Sequence, residues 1–325
     1  MDFLQRYKEY VSIVDEYLST FVKKTIPRSL YDPASYILAA GGKRIRPVLV
    51  LCACEAVGGN REKAIHAAAG LEILHNFTLV HDDIMDNAAS RRGRATVHTK
   101  WDSNVAILAG DVLLGLAYRA LLQSETPAIQ ELGRIFTEGV IEVCEGQAYD
   151  KEFETRRKVS LDEYLLMIQK KTGTMVAVAT EVGAILGDGS AGEREALKSY
   201  GKLVGEAFQV QDDLLDVLAD EKKFGKTIGG DIVEGKKTYL LITALQRAKG
   251  AEKKLLQKLV QDGGISKKHV DRIRRIFLST GAVEAAGIHV ANNIAKAKEQ
   301  LKALNDTESA HTLSWFADML LSRKS

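Results

Sequence analysis

All four prolines of this 325-residue chain, Pro27, Pro33, Pro47 and Pro127, fall within its first 127 residues. Everything beyond is free of the residue that most often breaks helices, so long uninterrupted helices are permitted there. Start signals agree. Asp32-Pro33 and Thr126-Pro127 set a capping side chain before a proline at a first helical position. The runs SLDE from Ser160 to Glu163 and SAGE from Ser190 to Glu193 read as capping boxes. Strand-type alternation is absent. The pattern predicts helices at roughly 3–25, 33–41, 44–57, 61–87, 103–124, 127–153, 161–187, 192–220 and 234–249, with shorter ones to the end, and hence an all-α fold.

A hydrophobic fraction of 46% allows a large buried core and argues against disorder. Forty-five basic against 43 acidic side chains leave a net charge of +2, too small for a global attraction to nucleic acid or anionic lipid, so any anion binding has to be local. The glycine-containing joints GGKR, AVGGN, LGDGSAG and KFGKTIGG are short and no Ser/Pro-rich linker divides the chain, which predicts a single domain over residues 1–325. The N-terminal MDFLQRYKEYVSIVDEYLSTFV is charged throughout, unlike a signal peptide, and no stretch is expected to approach the ~20 apolar residues of a membrane span. Cys52, Cys54 and Cys144 fit neither a disulfide framework nor a metal knuckle and read as reduced thiols of a cytoplasmic protein.

HDDIMDNAASRRG, residues 81–93, places three aspartates and two adjacent arginines in an otherwise apolar neighbourhood. On a helix, Asp82 and Asp86 lie about 40° apart and Asp83 about 100° from Asp82, so the three are expected to share one broad face. FQVQDDLLD, residues 208–216, repeats the spacing with Asp212, Asp213 and Asp216. At ~6 Å and an effective dielectric of ~20, each like-charged pair costs about 3 kcal/mol. Within each motif the chain supplies Ile84-Met85 or Leu214-Leu215 and no base. Hard divalent cations choose carboxylate oxygens, and Mg²⁺ typically takes one or two of them, completing its shell with water and phosphate oxygens. One such motif reads equally well as a solvated acidic face. Two favour a pair of metal-binding faces with a diphosphate held between them.

Basic groups stand nearby. GGKRIRP, residues 41–47, sets Lys43, Arg44 and Arg46 in a turn closed by Pro47, at a helix start whose N–H groups also favour anions. Arg91 and Arg92 follow the first aspartate motif, and Lys171-Thr172, Lys226 and Lys236 lie at glycine joints or helix ends. Carboxylates collect metal, metal collects phosphate, and arginine holds the phosphate charge that remains. His75, about 20° from Asp82 on the wheel, is either a donor to a second anion or a satisfied core histidine. The remaining histidines carry no ligand pattern.

Together these residues resemble the trans-isoprenyl diphosphate synthases, the head-to-tail prenyltransferases. The resemblance rests on GGKRIRP, HNFTLVHDDIMDNAASRRG at 75–93, GDVLL at 110–114, GQAYD at 146–150, KT at 171–172, FQVQDDLLD, and GK followed by D-I-x-x-G-K at 225–236. It implies a bundle of long helices around a deep central cavity, and a homodimer. It implies that Asp82, Asp86 and Asp212 ligate Mg²⁺, three ions per site, with Asp83, Asp213 and Asp216 in support. Arg91, Lys171, Lys226 and Lys236 would hold the allylic diphosphate, and Lys43, Arg46, His75 and Arg92 isopentenyl diphosphate. Ionisation, condensation and proton loss would follow, with Thr172 and Gln209 offering weak dipoles to the allylic cation. Gln147 and Asp150 would orient Lys171. Leu240 departs from the proline that many relatives carry after the threonine-tyrosine pair.

In such enzymes, bulk just upstream of the first aspartate motif limits product length. Here Phe77 and Thr78 occupy those positions, and the wheel turns Thr78 more directly toward the cavity than Phe77. A single aromatic resembles synthases of geranylgeranyl diphosphate, so C20 is the expected product, ahead of C15 farnesyl diphosphate and of C25 or longer chains. A terpene cyclase ordinarily lacks a second aspartate motif, and a non-catalytic regulatory subunit would lack ligands that are all present here.

Overall fold

Helix formation begins at Asp2, whose side chain accepts from the N–H groups of Leu4 and Gln5 and caps α1 (Phe3–Phe21). The computed structural model describes residues 2–22, 25–218 and 229–322. After α1 come α2 (Arg28–Leu38), α3 (Ile45–Ala56), a 3₁₀ turn (Arg61–Ala64), α4 (Ile65–Met85), a hairpin of β1 (Ser90–Arg91) and β2 (Arg94–Ala95), α5 (Val97–Lys100) and α6 (Ser103–Leu121). Then follow α7 (Ile129–Thr155), α8 (Leu161–Ile168), a π-helical segment (Gln169–Gly173), α9 (Thr174–Leu186) and α10 (Ala191–Leu218). The remainder is α11 (Gly230–Val233), α12 (Tyr239–Arg247), α13 (Gly250–Gln261), α14 (Val270–Ser279), α15 (Ala282–Gln300) and α16 (Glu308–Ser322). The all-α class is as the proline distribution predicts.

The chain divides into two compact units, one formed by residues 1–137, 178–197 and 303–313 and the other by 138–177, 198–302 and 314–325. In the first, α4 packs along α6. Close approach is possible because Gly110 of α6 lies under the His81 ring, where a Cβ would come within 2.1 Å of Nε2. α3, apolar except for Arg46 and Glu55, is buried along nearly its whole length. In the second unit, α12 is buried by α8, α13, α14 and α15. α14 shows how pattern becomes packing: Val270, Ile273, Ile276 and Phe277 are buried, while Arg272 and Arg275 on the other face are exposed.

Several local expectations are corrected. α2 starts at Arg28, so Pro33 lies inside the helix; burial of Pro33, Ala34, Ile37 and Leu38 outweighs the local start signal. The helix expected over 161–187 is widened at Gln169–Gly173, where the Thr174 N–H donates to the Gln169 carbonyl. The helix expected over 234–249 begins only at Tyr239, capped by the Thr238 hydroxyl, and a separate short helix, Gly230–Val233, precedes it. A two-residue hairpin appears where no strand was expected. Its corner residues, Arg92 (φ 53°) and Gly93 (φ 73°), both take positive φ, as a type I′ turn requires. Finally, one helix among the described residues, Ser103–Leu121, is long and apolar enough to cross a membrane. Ala106, Ala109, Leu113, Leu116 and Ala117 nevertheless make it a packing helix, and it carries exposed Asp111 and Arg119.

Candidate active site

In the first unit α4 delivers its aspartates at its C-terminal end, with Asp86 as the cap residue. They do not share a face. Asp82 is half-buried and Asp86 exposed, whereas Asp83 is turned inward, 1% exposed, and accepts from Arg91 Nε at 2.6 Å. Burial raises the Asp83 carboxyl above its usual range and Arg91 opposes the rise. The hairpin holds Arg91 in place, and the I′ corner sends the Arg92 guanidinium to the Gly41 carbonyl.

Arg44 organises the basic turn. It sits at φ 48° with its side chain 3% exposed, bonded to Glu72 at 2.6 Å, Asp15 at 2.8 Å and the Leu38 carbonyl at 3.2 Å. Lys43 is left exposed and Arg46 half-buried. Arg46 Nε is buried without a hydrogen-bond partner. Burial, and repulsion from Arg92, pull the Arg46 guanidinium below its ordinary pKa against the attraction of Glu72. Arg92 is lowered likewise by burial and by Arg44 and Arg91. The His75 imidazole is pushed well below 6.5 by burial and by Arg46, Arg92, Arg91 and Arg44, which keeps it neutral at neutral pH. Crowded cations with an orphaned buried donor are the arrangement that an anion of high charge would satisfy.

Upstream on α4, Phe77 is buried with its ring 4.8 Å from the His81 ring, edge to face. Thr78 is half-buried and donates to the His75 carbonyl at 2.8 Å.

The second unit carries the other aspartate motif near the end of α10. Asp212 and Asp216 are half-buried, and Asp213 is again turned inward, 5% exposed. Asp213 accepts from the Tyr164 hydroxyl and from the Tyr239 N–H at 3.2 Å. Asp216 accepts from the Asp231 N–H at 3.2 Å. Burial, with the charge of Asp231 added, pushes Asp213 up to about 8 and Asp216 up to about 6. Lys236 pairs with Asp231 at 3.4 Å and Glu234 at 2.9 Å.

On the π segment, Lys171 Nζ meets Asp150 at 2.6 Å and the Thr172 hydroxyl donates to Gln209 Oε1 at 3.1 Å. Gly146 of α7 permits this, since a Cβ there would come within 2.3 Å of the Lys171 nitrogen. Lys226 lies outside the described residues.

A family model described as polyprenyl synthetase matches residues 27–277. The chain belongs to the polyprenyl synthetase family. It is 39% identical to the short chain isoprenyl diphosphate synthase of Methanothermobacter thermautotrophicus, over 100% of this chain and 98% of that protein. To the geranylgeranyl diphosphate synthase of Methanosarcina mazei it is 38% identical, over 100% and 99%. The crystal structure of the geranylgeranyl pyrophosphate synthetase from Pyrococcus horikoshii superimposes with a TM-score of 0.95 at 38% identity, covering 99% of each chain.

For a polyprenyl synthetase, the donor set fits magnesium. Two carboxylates of each motif, Asp82 with Asp86 and Asp212 with Asp216, are at least partly exposed, and carboxylate oxygens are the donors Mg²⁺ prefers. Among the described residues no three acidic, histidine or cysteine side chains gather at metal-ligating spacing. The sequence reading missed Asp231, whose charge bears on Asp213 and Asp216, and the anchoring roles of Arg44, Glu72 and Tyr164. Asp231 stood in plain view in D-I-x-x-G-K, where only the lysine had been given a role.

The raised carboxyls make metal-free stability pH-dependent. Unfolded, an aspartate ionises near 3.9; folded, Asp213 holds its proton to about 8. The folded state therefore binds more protons between these values, and its stability falls as pH rises through that window. Asp213→Asn should flatten the decline, with a melting temperature that loses less between pH 5 and pH 8 than that of the parent in EDTA. Parallel melting curves would contradict this.

Proposed function

We propose that the chain condenses isopentenyl diphosphate with an allylic diphosphate, with C20 geranylgeranyl diphosphate as its main product. The observation that carries the reading is the crowding of Arg46 and Arg92 about His75, with Arg46 Nε buried and unbonded, which calls for a polyanion. In this reading Lys43, Arg46, His75 and Arg92 hold isopentenyl diphosphate. Arg91, Lys171, Lys226 and Lys236 hold the allylic diphosphate. Asp82, Asp86 and Asp212 ligate three Mg²⁺ ions, supported by Asp83, Asp213 and Asp216. When bound, magnesium neutralises the charge that develops on the departing diphosphate.

The remaining work belongs to side chains. Asp150 holds Lys171 extended. The Thr172 hydroxyl donates a hydrogen bond to Gln209, so these two side chains offer the allylic cation weak hydroxyl and amide dipoles. A homodimer would cover the exposed Ile107 and Leu108 of α6. A cytoplasmic setting suits Cys52, Cys54 and Cys144, which form no disulfide.

The names of the relatives from Methanosarcina mazei and Pyrococcus horikoshii support C20. Incubating the purified chain with isopentenyl and farnesyl diphosphates tests it: geranylgeranyl diphosphate should dominate the chromatogram. A majority of products beyond C25 would refute the assignment, and a chain inert with Mg²⁺ would be a regulatory subunit. Phe77→Ala removes the ring that meets His81 edge to face and should shift the products toward greater length. An unchanged distribution would rule out Phe77 as the floor.

A further inference from the structure

Tyr164 lies in α8, which opens at the Ser160 capping box and runs through the π segment carrying Lys171 and Thr172. It is 2% exposed, and its hydroxyl donates to Asp213. Phenylalanine would fill the same volume. A hydroxyl placed in an apolar interior carries a desolvation cost unless it is bonded, so a tyrosine here is favoured only through what its oxygen holds.

What it holds is a junction. Three chain segments converge on the Asp213 carboxylate: α8 through the Tyr164 hydroxyl, α10 through Asp213 itself, and the start of α12 through the Tyr239 N–H. Each segment also bears groups of the proposed site, respectively Lys171 and Thr172, Asp212 and Asp216, and Lys236. The Tyr164 and Tyr239 rings stand edge to face at 6.4 Å, and Tyr239 packs in turn on His289, which bonds Glu206 of α10 at 2.7 Å. The Asp213 carboxyl is thus gripped by two donors from outside α10 within an aromatic frame.

We propose that Tyr164 is a positioning residue for metal binding: by anchoring Asp213 it turns Asp212 and Asp216 toward the cation and fixes their orientation relative to Lys171. The inference rests on the function proposed above. Groups that orient ligating carboxylates typically cost about 10–100-fold in metal affinity when removed.

The test is a calorimetric titration of Mg²⁺ into the full chain in the presence of inorganic pyrophosphate. Tyr164→Phe should weaken Mg²⁺ binding by about 10-fold or more and raise the Mg²⁺ concentration for half-maximal turnover in parallel. The KM for isopentenyl diphosphate should remain that of the parent. To separate this from general loosening, 4-aminophenylalanine at position 164 keeps a donor and should restore affinity to within about 3-fold of the parent, whereas 4-methylphenylalanine, of similar shape without a donor, should not. These two also serve should the phenylalanine variant fold poorly. Equal affinities for the donor and non-donor chains overturn the proposal, as does a phenylalanine variant that loses only melting temperature. If the parent chain itself binds no Mg²⁺ with pyrophosphate, the functional assignment fails instead.

Discussion

Asp82→Ala should abolish most turnover, lowering kcat by about 10³-fold or more, while the melting temperature of the metal-free protein stays level or rises. The magnitude follows if Asp82 is, as proposed, a ligand of the metal that would neutralise the leaving diphosphate, a stabilisation of several kcal/mol, where each 1.4 kcal/mol is tenfold in rate. The second half follows from where the residue sits. Asp82, Asp83 and Asp86 crowd the C-terminal end of α4, the end at which the helix dipole disfavours negative charge and like charges repel. Negative charge crowded there is opposed by the dipole and by its neighbours, so removing one carboxylate is expected to harm chemistry more than the fold. Asp212→Ala should behave alike in turnover. Steady-state rates against Mg²⁺ concentration, with thermal melts in EDTA, check both halves; intact turnover in either variant would remove the metal role from that motif.

Arg44→Met should destabilise the protein by about 3–5 kcal/mol, because it strands the Glu72 carboxylate, 2% exposed, without its principal partner. Arg44 is also bonded to Asp15 of α1 and to the Leu38 carbonyl at the end of α2, so its loss loosens the turn that precedes Arg46. The KM for isopentenyl diphosphate should therefore rise even under conditions where the variant is folded. Pairing Arg44→Met with Glu72→Leu should recover much of the stability, since a buried ion pair replaced by apolar groups of similar volume is often neutral or better. It should not recover the KM. Urea denaturation of the two variants measures the first effect, and a double variant no more stable than the single one would contradict the account.

Most of the helical framework was legible in the sequence, because prolines, caps and glycine joints act locally. The SLDE run at Ser160 forms the capping box it spells, and the SAGE run at Ser190 makes the reciprocal bonds. The start at Asp32-Pro33 was misread because the buried face of α2 extends further back than its local signal. The hairpin escaped because two residues per strand are too few to alternate. The widened turn at Gln169–Gly173 packs against α7 at Gly146, where a Cβ would collide with Lys171, more than twenty positions away and outside any window around Lys171.

The candidate site was legible in its residues and less so in their orientation. A wheel gives angles between side chains but does not say how the helix is rolled against its neighbours. Three aspartates on a broad arc look equivalent, yet packing took the middle one of each motif, Asp83 and Asp213, inward to Arg91 and to Tyr164. Likewise Lys43, Arg44 and Arg46 read alike until the positive φ at Arg44 breaks the helical phase and drives that one side chain into the core.

The π turn sets a constraint on chain length at this place. It accommodates one residue more than an α-helical turn would, so deleting a single residue between Gln169 and Gly173 would let the run relax into regular α-helix. Five residues of this turn sweep about the angle that four take in an α-helix, so the helices on either side would keep their phase. The change would fall inside the turn, on Lys171 and Thr172 and their bonds to Asp150 and Gln209, so a deletion in these five positions should cost the site more than the fold.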